Sequence, residues 1–155
     1  MQSRRQFLKT TSWTALGLAV AAGWLRPSEA LAEDWNQAAF EAKSVPDVLK
    51  ALGLAGPPKQ SDAITLTAPD IAENGAVVPI SVASTLSDVK RIAILIEKNP
   101  STLAAQFTLL PGADPAITTR VKVGQSTDVY GLVLAGDQLY FTKKEVKVTL
   151  GGCGG

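Results

Sequence analysis

Val89-Lys90-Arg91-Ile92-Ala93-Ile94-Leu95-Ile96-Glu97-Lys98-Asn99-Pro100 is the stretch on which the fold turns. Its apolar half is rich in β-branched residues and Asn99-Pro100 breaks it, so it reads as a strand over residues 89–98. Ile92 to Ile96 do not alternate with polar residues, so both faces of this strand need cover. Tyr130-Gly131-Leu132-Val133-Leu134 has the same character. Ile117, Val121 and Val123 instead oppose Thr118, Arg120 and Lys122, which describes a strand with one solvated face.

Working outward, further runs of strand type occupy residues 63–68, 77–83, 103–109, 117–123, 128–134 and 138–150. Turn residues separate them: Glu73-Asn74-Gly75, Pro111-Gly112-Ala113-Asp114-Pro115, Gly124-Gln125 and Ala135-Gly136-Asp137. About seven short strands at such spacing predict an all-β fold, an immunoglobulin-like antiparallel β-sandwich. A two-sheet sandwich buries one face of each sheet, so the doubly apolar strands call for a second cover. N-terminal helices or a partner subunit would each serve, and the two can share the surface.

Two short helices are expected ahead of the strands. The first covers residues 35–43. The second starts at Ser44-Val45-Pro46-Asp47, an N-cap with an acidic first turn, carries Val45, Val48, Leu49 and Leu52 at helical spacing, and stops at Gly53. Gly56-Pro57-Pro58 then breaks the chain.

The N-terminus reads as a targeting segment. Ser3-Arg4-Arg5-Gln6-Phe7-Leu8-Lys9 is a twin-arginine export motif, followed by an apolar run from Trp13 to Leu25 that is too short to span a membrane. Ala30-Leu31-Ala32 offers a signal-peptidase site. The expected organisation is a signal peptide over residues 1–32, a helical segment over 33–60, the sandwich over 61–150 and a tail over 151–155. The expected location is the periplasm, with no membrane attachment after cleavage. Arg4, Arg5, Lys9, Arg26 and Glu29 leave with the signal, so of 15 basic and 14 acidic side chains 11 and 13 remain, a net charge of −2. That balance gives no support to nucleic-acid binding.

The chain has no histidine and one cysteine, which excludes a histidine-based triad, an imidazole proton shuttle and an internal disulfide. The cysteine lies in Gly151-Gly152-Cys153-Gly154-Gly155, where four glycines add nothing to a core. Five extended residues span at most about 17–18 Å, so the tail reads as a thin, flexible arm with one nucleophile. Lys143, Lys144 and Lys147 are the cations closest in sequence, and nothing adjacent would strongly activate the thiol. Lys143 and Lys147 share a face of a late strand, which they solvate or guard as an edge. An intermolecular disulfide, or a metal ligand completed by other chains, are the other uses of such a thiol. A thiol enzyme would need a base and an oxyanion site beside the nucleophile. A plain adhesion module leaves the tail unexplained.

The ending Val146-Lys147-Val148-Thr149-Leu150-Gly151-Gly152-Cys153-Gly154-Gly155 resembles that of the SoxY family of sulfur-oxidising systems. The segments 71–79, 94–100, 110–113 and 118–122 resemble the family's recurrent stretches in order. The resemblance implies a covalent carrier rather than an enzyme, with no cofactor of its own. Cys153 would be the attachment point for thiosulfonate and persulfide intermediates, and Gly151, Gly152, Gly154 and Gly155 the carrier arm. It further implies a SoxZ-like β-sandwich partner in a heterodimer. Transient docking is implied to a c-type cytochrome that conjugates thiosulfate, a dimanganese hydrolase that releases sulfate, and a sulfur dehydrogenase in some organisms.

Overall fold

The computed structural model describes residues 36–54 and 56–149. The signal-peptide assignment and the tail from 150 to 155, including Cys153, lie outside the described residues.

Two helices lead, α1 (Gln37–Glu41) and α2 (Val45–Ala51). Nine strands follow: β1 (Lys59–Gln60), β2 (Ile64–Thr67), β3 (Ile71–Ala72), β4 (Val78–Ser84), β5 (Val89–Ile96), β6 (Leu103–Thr108), β7 (Ala116–Val121), β8 (Thr127–Ala135) and β9 (Gln138–Val148). The larger sheet has the order β1-β9-β8-β5-β6, with β3 also paired to β9. The smaller sheet has the order β2-β4-β7. The chain crosses between sheets after each of β1, β2, β3, β4, β6 and β7, and the seven longer strands divide as in an immunoglobulin-type sandwich, β2, β4 and β7 against β5, β6, β8 and β9.

All seven expected strands form, with ends displaced by a few residues at most. Two more segments, β1 and β3, were not expected, and both run parallel to β9. The larger sheet is therefore mixed rather than purely antiparallel. The 11 residues of β9 outrun what β8 alone can pair, and its outer edge takes Lys59–Gln60 at one end and Ile71–Ala72 at the other.

The doubly apolar strands form the middle of the larger sheet. On β5, Ile92, Ile94 and Ile96 point between the sheets and pack with Ile80, Val82, Val123, Val129 and Val133. Ala93 and Leu95 point outward, with Leu103, Leu132 and Leu139, onto Ala39, Val48 and Leu52 of the helical segment. At these residues the outer face is thus covered by α1 and α2, one of the two covers the sequence allowed. A fully buried side chain such as Val48 contributes about 1.5–3 kcal/mol. Ser44 caps α2 through its Oγ, which accepts from the Asp47 N–H at 3.3 Å and donates to Asp47 Oδ2 at 2.5 Å. The linker between the helices is tied to β6 by Thr102 N–H to the Ala42 carbonyl at 3.1 Å, and Ser101 Oγ donates to the Phe40 carbonyl.

Gly131 shows how closely the sheets approach. A Cβ there would lie 3.2–3.3 Å from the methyl groups of Val82. A residue with no side chain is what this layer accommodates.

Candidate functional site

Thr149, four residues before Cys153 in sequence, closes the described part of the chain, and we call it the root of the tail. Three hydrogen bonds hold this root. Lys147 N–H donates to the Asp70 carbonyl at 2.9 Å, and Thr149 N–H to the Ala72 carbonyl at 3.2 Å. Between them, Val148 N–H donates to Ser126 Oγ at 2.9 Å. The root is therefore held by β3 on one side and the β7–β8 loop on the other.

Gly75 completes the seat. Its carbonyl accepts from the Val123 N–H at 2.7 Å. A Cβ at this glycine would lie 2.5 Å from the Val123 carbonyl oxygen and 2.8 Å from Val148 Cγ1. Only glycine lets the 73–77 turn close on the last residues of β9. Asn74 Oδ1 accepts from the Ala76 N–H at 2.9 Å and shapes the same turn.

Beside the root, the β5–β6 and β7–β8 loops are clamped together. Asn99 Nδ2 donates to the Lys122 carbonyl at 2.7 Å, and Asn99 Oδ1 accepts from the Gly124 N–H at 3.0 Å. Gln125 Nε2 donates to the Lys98 carbonyl at 3.2 Å. The loops enclose a cleft of about 520 Å³ whose walls include Lys98, Asn99, Ser101, Lys122, Gly124 and Gln125.

The cations nearest Cys153 in sequence are largely committed elsewhere. Lys143 Nζ pairs with Asp128 Oδ2 at 2.7 Å and sits 5.7 Å from the centre of the Tyr130 ring. Its hydrogen bond to Asp128 holds the ammonium pKa above its ordinary value. Tyr130 is pushed up as well, first by burial and then by the charge of Glu97, whose carboxylate its hydroxyl meets at 3.3 Å. Lys144 Nζ donates to the Ala68 carbonyl at 2.7 Å and pairs with Asp70 at 3.0 Å. Lys143 is thus an anchored member of a network rather than a free solvating charge. Lys144 fastens the β2–β3 link across β9.

Among the described residues, no group of three or more thiol and carboxylate side chains is placed to hold a metal, and no helix is long and apolar enough to cross a membrane. What the described chain provides is a packed sandwich whose last strand is fastened up to Thr149 and continues in sequence toward one thiol. That combination defines a β-sandwich body bearing a C-terminal cysteine segment.

Comparison with known proteins narrows the class. The family model for the sulfur oxidation protein SoxY matches residues 49–153, from α2 through the cysteine, and the chain belongs to this family. The structure of the sulfur carrier protein SoxY from Chlorobium limicola f thiosulfatophilum aligns at 36% identity with a TM-score of 0.60, covering 68% of this chain and 96% of that one. A superoxide reductase (neelaredoxin) from Ignicoccus hospitalis aligns at 17% identity with a TM-score of 0.53, over 59% of this chain and 95% of that one, and shares the fold alone. No curated protein sequence matches.

Sequence reasoning had marked Asn99, Gly75 and Gly124 only as turn residues. Their role in fastening the root and the neighbouring loops depends on long-range pairing that no local pattern announces. Lys122 was expected on the solvated face of its strand, and Lys98 only as part of the 89–98 run.

Proposed function

We propose that the protein is a covalent carrier in periplasmic thiosulfate oxidation and that Cys153, on a swinging C-terminal arm formed by Gly151, Gly152, Gly154 and Gly155, holds the sulfur substrate. The observation that supports this most directly is the extent of the SoxY match, which runs through the body and ends on Cys153 itself. The body adds a physical argument. Its strands are fastened up to Thr149, four residues before the thiol, so any travel of the cysteine is confined to the segment beyond.

The chemistry balances as follows. The Cys153 thiol and thiosulfate join through a new sulfur–sulfur bond, losing two electrons and one proton; the c-type cytochrome partner takes the electrons. Water then cleaves the sulfur–sulfonate bond at the dimanganese hydrolase, which releases sulfate and leaves a persulfide on Cys153. In hosts with a sulfur dehydrogenase, that outer sulfur is oxidised further. A SoxZ-like sandwich subunit accompanies the chain as a heterodimer. Export by the twin-arginine route accommodates a complex already folded in the cytoplasm.

Intact-mass measurement of protein isolated from the periplasm tests this reading. The expected result is a set of Cys153 adducts that grow and shrink by sulfur-containing units and vanish in Cys153→Ser, together with thiosulfate consumption. Sustained consumption by the serine variant would refute it.

A further inference from the structure

Two lysines, Lys98 and Lys122, line the cleft beside the root. Lys98 and Lys122 lie far apart in sequence, but the Asn99 and Gln125 bonds end on the carbonyls of these two lysines and hold both at one cleft. No carboxylate lines it. Among the described residues, neither ammonium has an ion-pair or hydrogen-bond partner. This is not the overflow of a basic protein, since residues 36–149 carry 11 basic and 11 acidic side chains. Two cations lining one cleft with no carboxylate among its walls favour an anionic surface set against them.

A second observation concerns reach. Cys153 lies four residues beyond Thr149, so its Cα can stand at most about 13–14 Å from the last fastened residue. An enzyme that encloses the thiol within a channel of similar depth must rest against this end of the sandwich. The same end exposes apolar side chains beside the root: Ile71 of β3 is 58% exposed and Val77 52%.

We infer that this end of the sandwich, centred on Lys98 and Lys122 and flanked by Ile71 and Val77, is the docking surface for the enzymes that act on Cys153, and that those enzymes present carboxylates around the entrance to their active sites. The inference rests on the carrier function proposed above. The lysines steer the encounter and set its register, while the apolar residues supply contact area once water is displaced.

The test uses the full mature chain with its SoxZ-like subunit and the host's purified thiosulfate-conjugating cytochrome. The second-order rate of Cys153 loading is followed by intact mass against carrier concentration. Lys98→Glu/Lys122→Glu is expected to lower that rate about tenfold or more at low ionic strength, with most of the deficit gone near 0.5 M salt. Lys50→Glu/Lys59→Glu makes the same change in net charge away from the root and is expected to load at the wild-type rate. Circular dichroism checks that both variants are folded. Wild-type loading by the Lys98/Lys122 variant overturns the inference, and so does an equal deficit in the control pair. A change confined to the KM for thiosulfate, with the dependence on carrier concentration unaltered, would assign the cleft to a small sulfur anion instead and equally overturn it. Cys153→Ser separates the two levels: if it is inactive while the lysine variant loads normally, the docking surface fails and the carrier stands.

Discussion

Replacing Gly75 by alanine is the sharpest structural test of how the root is built. The added methyl group would stand 2.5 Å from the Val123 carbonyl oxygen, whereas a carbon–oxygen contact settles near 3.3 Å or beyond, so something must retreat by roughly 0.8 Å. Val123 cannot yield freely, because its side chain is fully buried and its N–H is bonded to the Gly75 carbonyl at 2.7 Å. Val148 Cγ1 blocks the other direction at 2.8 Å. Overpacking of this kind costs about 1–3 kcal/mol, and loss of the Val123 hydrogen bond adds about 0.5–1.5 kcal/mol. The expected total is about 2–4 kcal/mol. With a slope near 2 kcal/mol/M in urea, the unfolding midpoint should fall by roughly 1–2 M. Hydrogen exchange should show the Val123 and Thr149 amides losing protection first, since both bonds lie at the displaced turn. Gly131→Ala is the internal comparison: its methyl meets side-chain atoms, those of Val82 at 3.2–3.3 Å and Leu66 Cδ1 at 3.6 Å, and should cost about 1 kcal/mol. A Gly75→Ala midpoint within about 0.3 M of wild type, or a smaller loss than Gly131→Ala gives, would refute the close-approach reasoning.

Three further outcomes follow from the geometry. Asn99→Ala removes two of the three side-chain bonds that clamp the β5–β6 and β7–β8 loops, leaving that of Gln125, and should cost about 1–3 kcal/mol in urea unfolding, with faster exchange of the Gly124 amide than of the strand cores. Leu95→Ala, in a fully buried position beneath the helices, should cost about 2–5 kcal/mol by the same assay; a loss below about 1 kcal/mol would mean that the helices do not cover this face in solution. The fold raises the pKa of both Tyr130 and Lys143, so it prefers their protonated forms. Their contribution is complete below the unfolded values of about 10 and is lost as pH rises through the higher folded ones. The unfolding midpoint should therefore drop above about pH 10, and less steeply in Tyr130→Phe.

The seven principal strands were legible because each carries a period or an apolar run between turn residues, as Ile92 to Ile96 does before Asn99-Pro100. Lys59–Gln60 and Ile71–Ala72 were not, since a two-residue strand has no period to read. They exist because β9 is long enough to offer a free edge, a property of the assembled sheet. The helices could be read from Ser44 and the spacing of Val45, Val48, Leu49 and Leu52, but not what they cover. Ala93 and Leu95 demand apolar neighbours, and a helix of the same chain and a subunit of another satisfy that demand alike. Only the packing of Val48 and Leu52 against them distinguishes the two. The same limit hid the cleft, because Lys98 and Lys122 meet only through bonds made by Asn99 and Gln125 across two loops.

The lysines of β9 sharpen what must be asked of the thiol's surroundings. Proximity in sequence suggested Lys143, Lys144 and Lys147 as the charges nearest Cys153; Asp128 and Asp70 hold the first two, on β8 and on the link to β3, while Lys147 has no ion-pair partner among the described residues. A thiol near its ordinary pKa of about 8.5 is then a poor nucleophile at neutral pH unless an external site lowers that value. On the carrier function proposed above, activation of the thiol falls to whichever enzyme receives it. That division of labour makes a measurable demand. The alkylation rate of Cys153 in the isolated carrier, followed against pH, should keep the same profile in Lys143→Met, Lys144→Met and Lys147→Met. A profile shifted toward higher pH by any of these substitutions would show that the body activates the thiol after all.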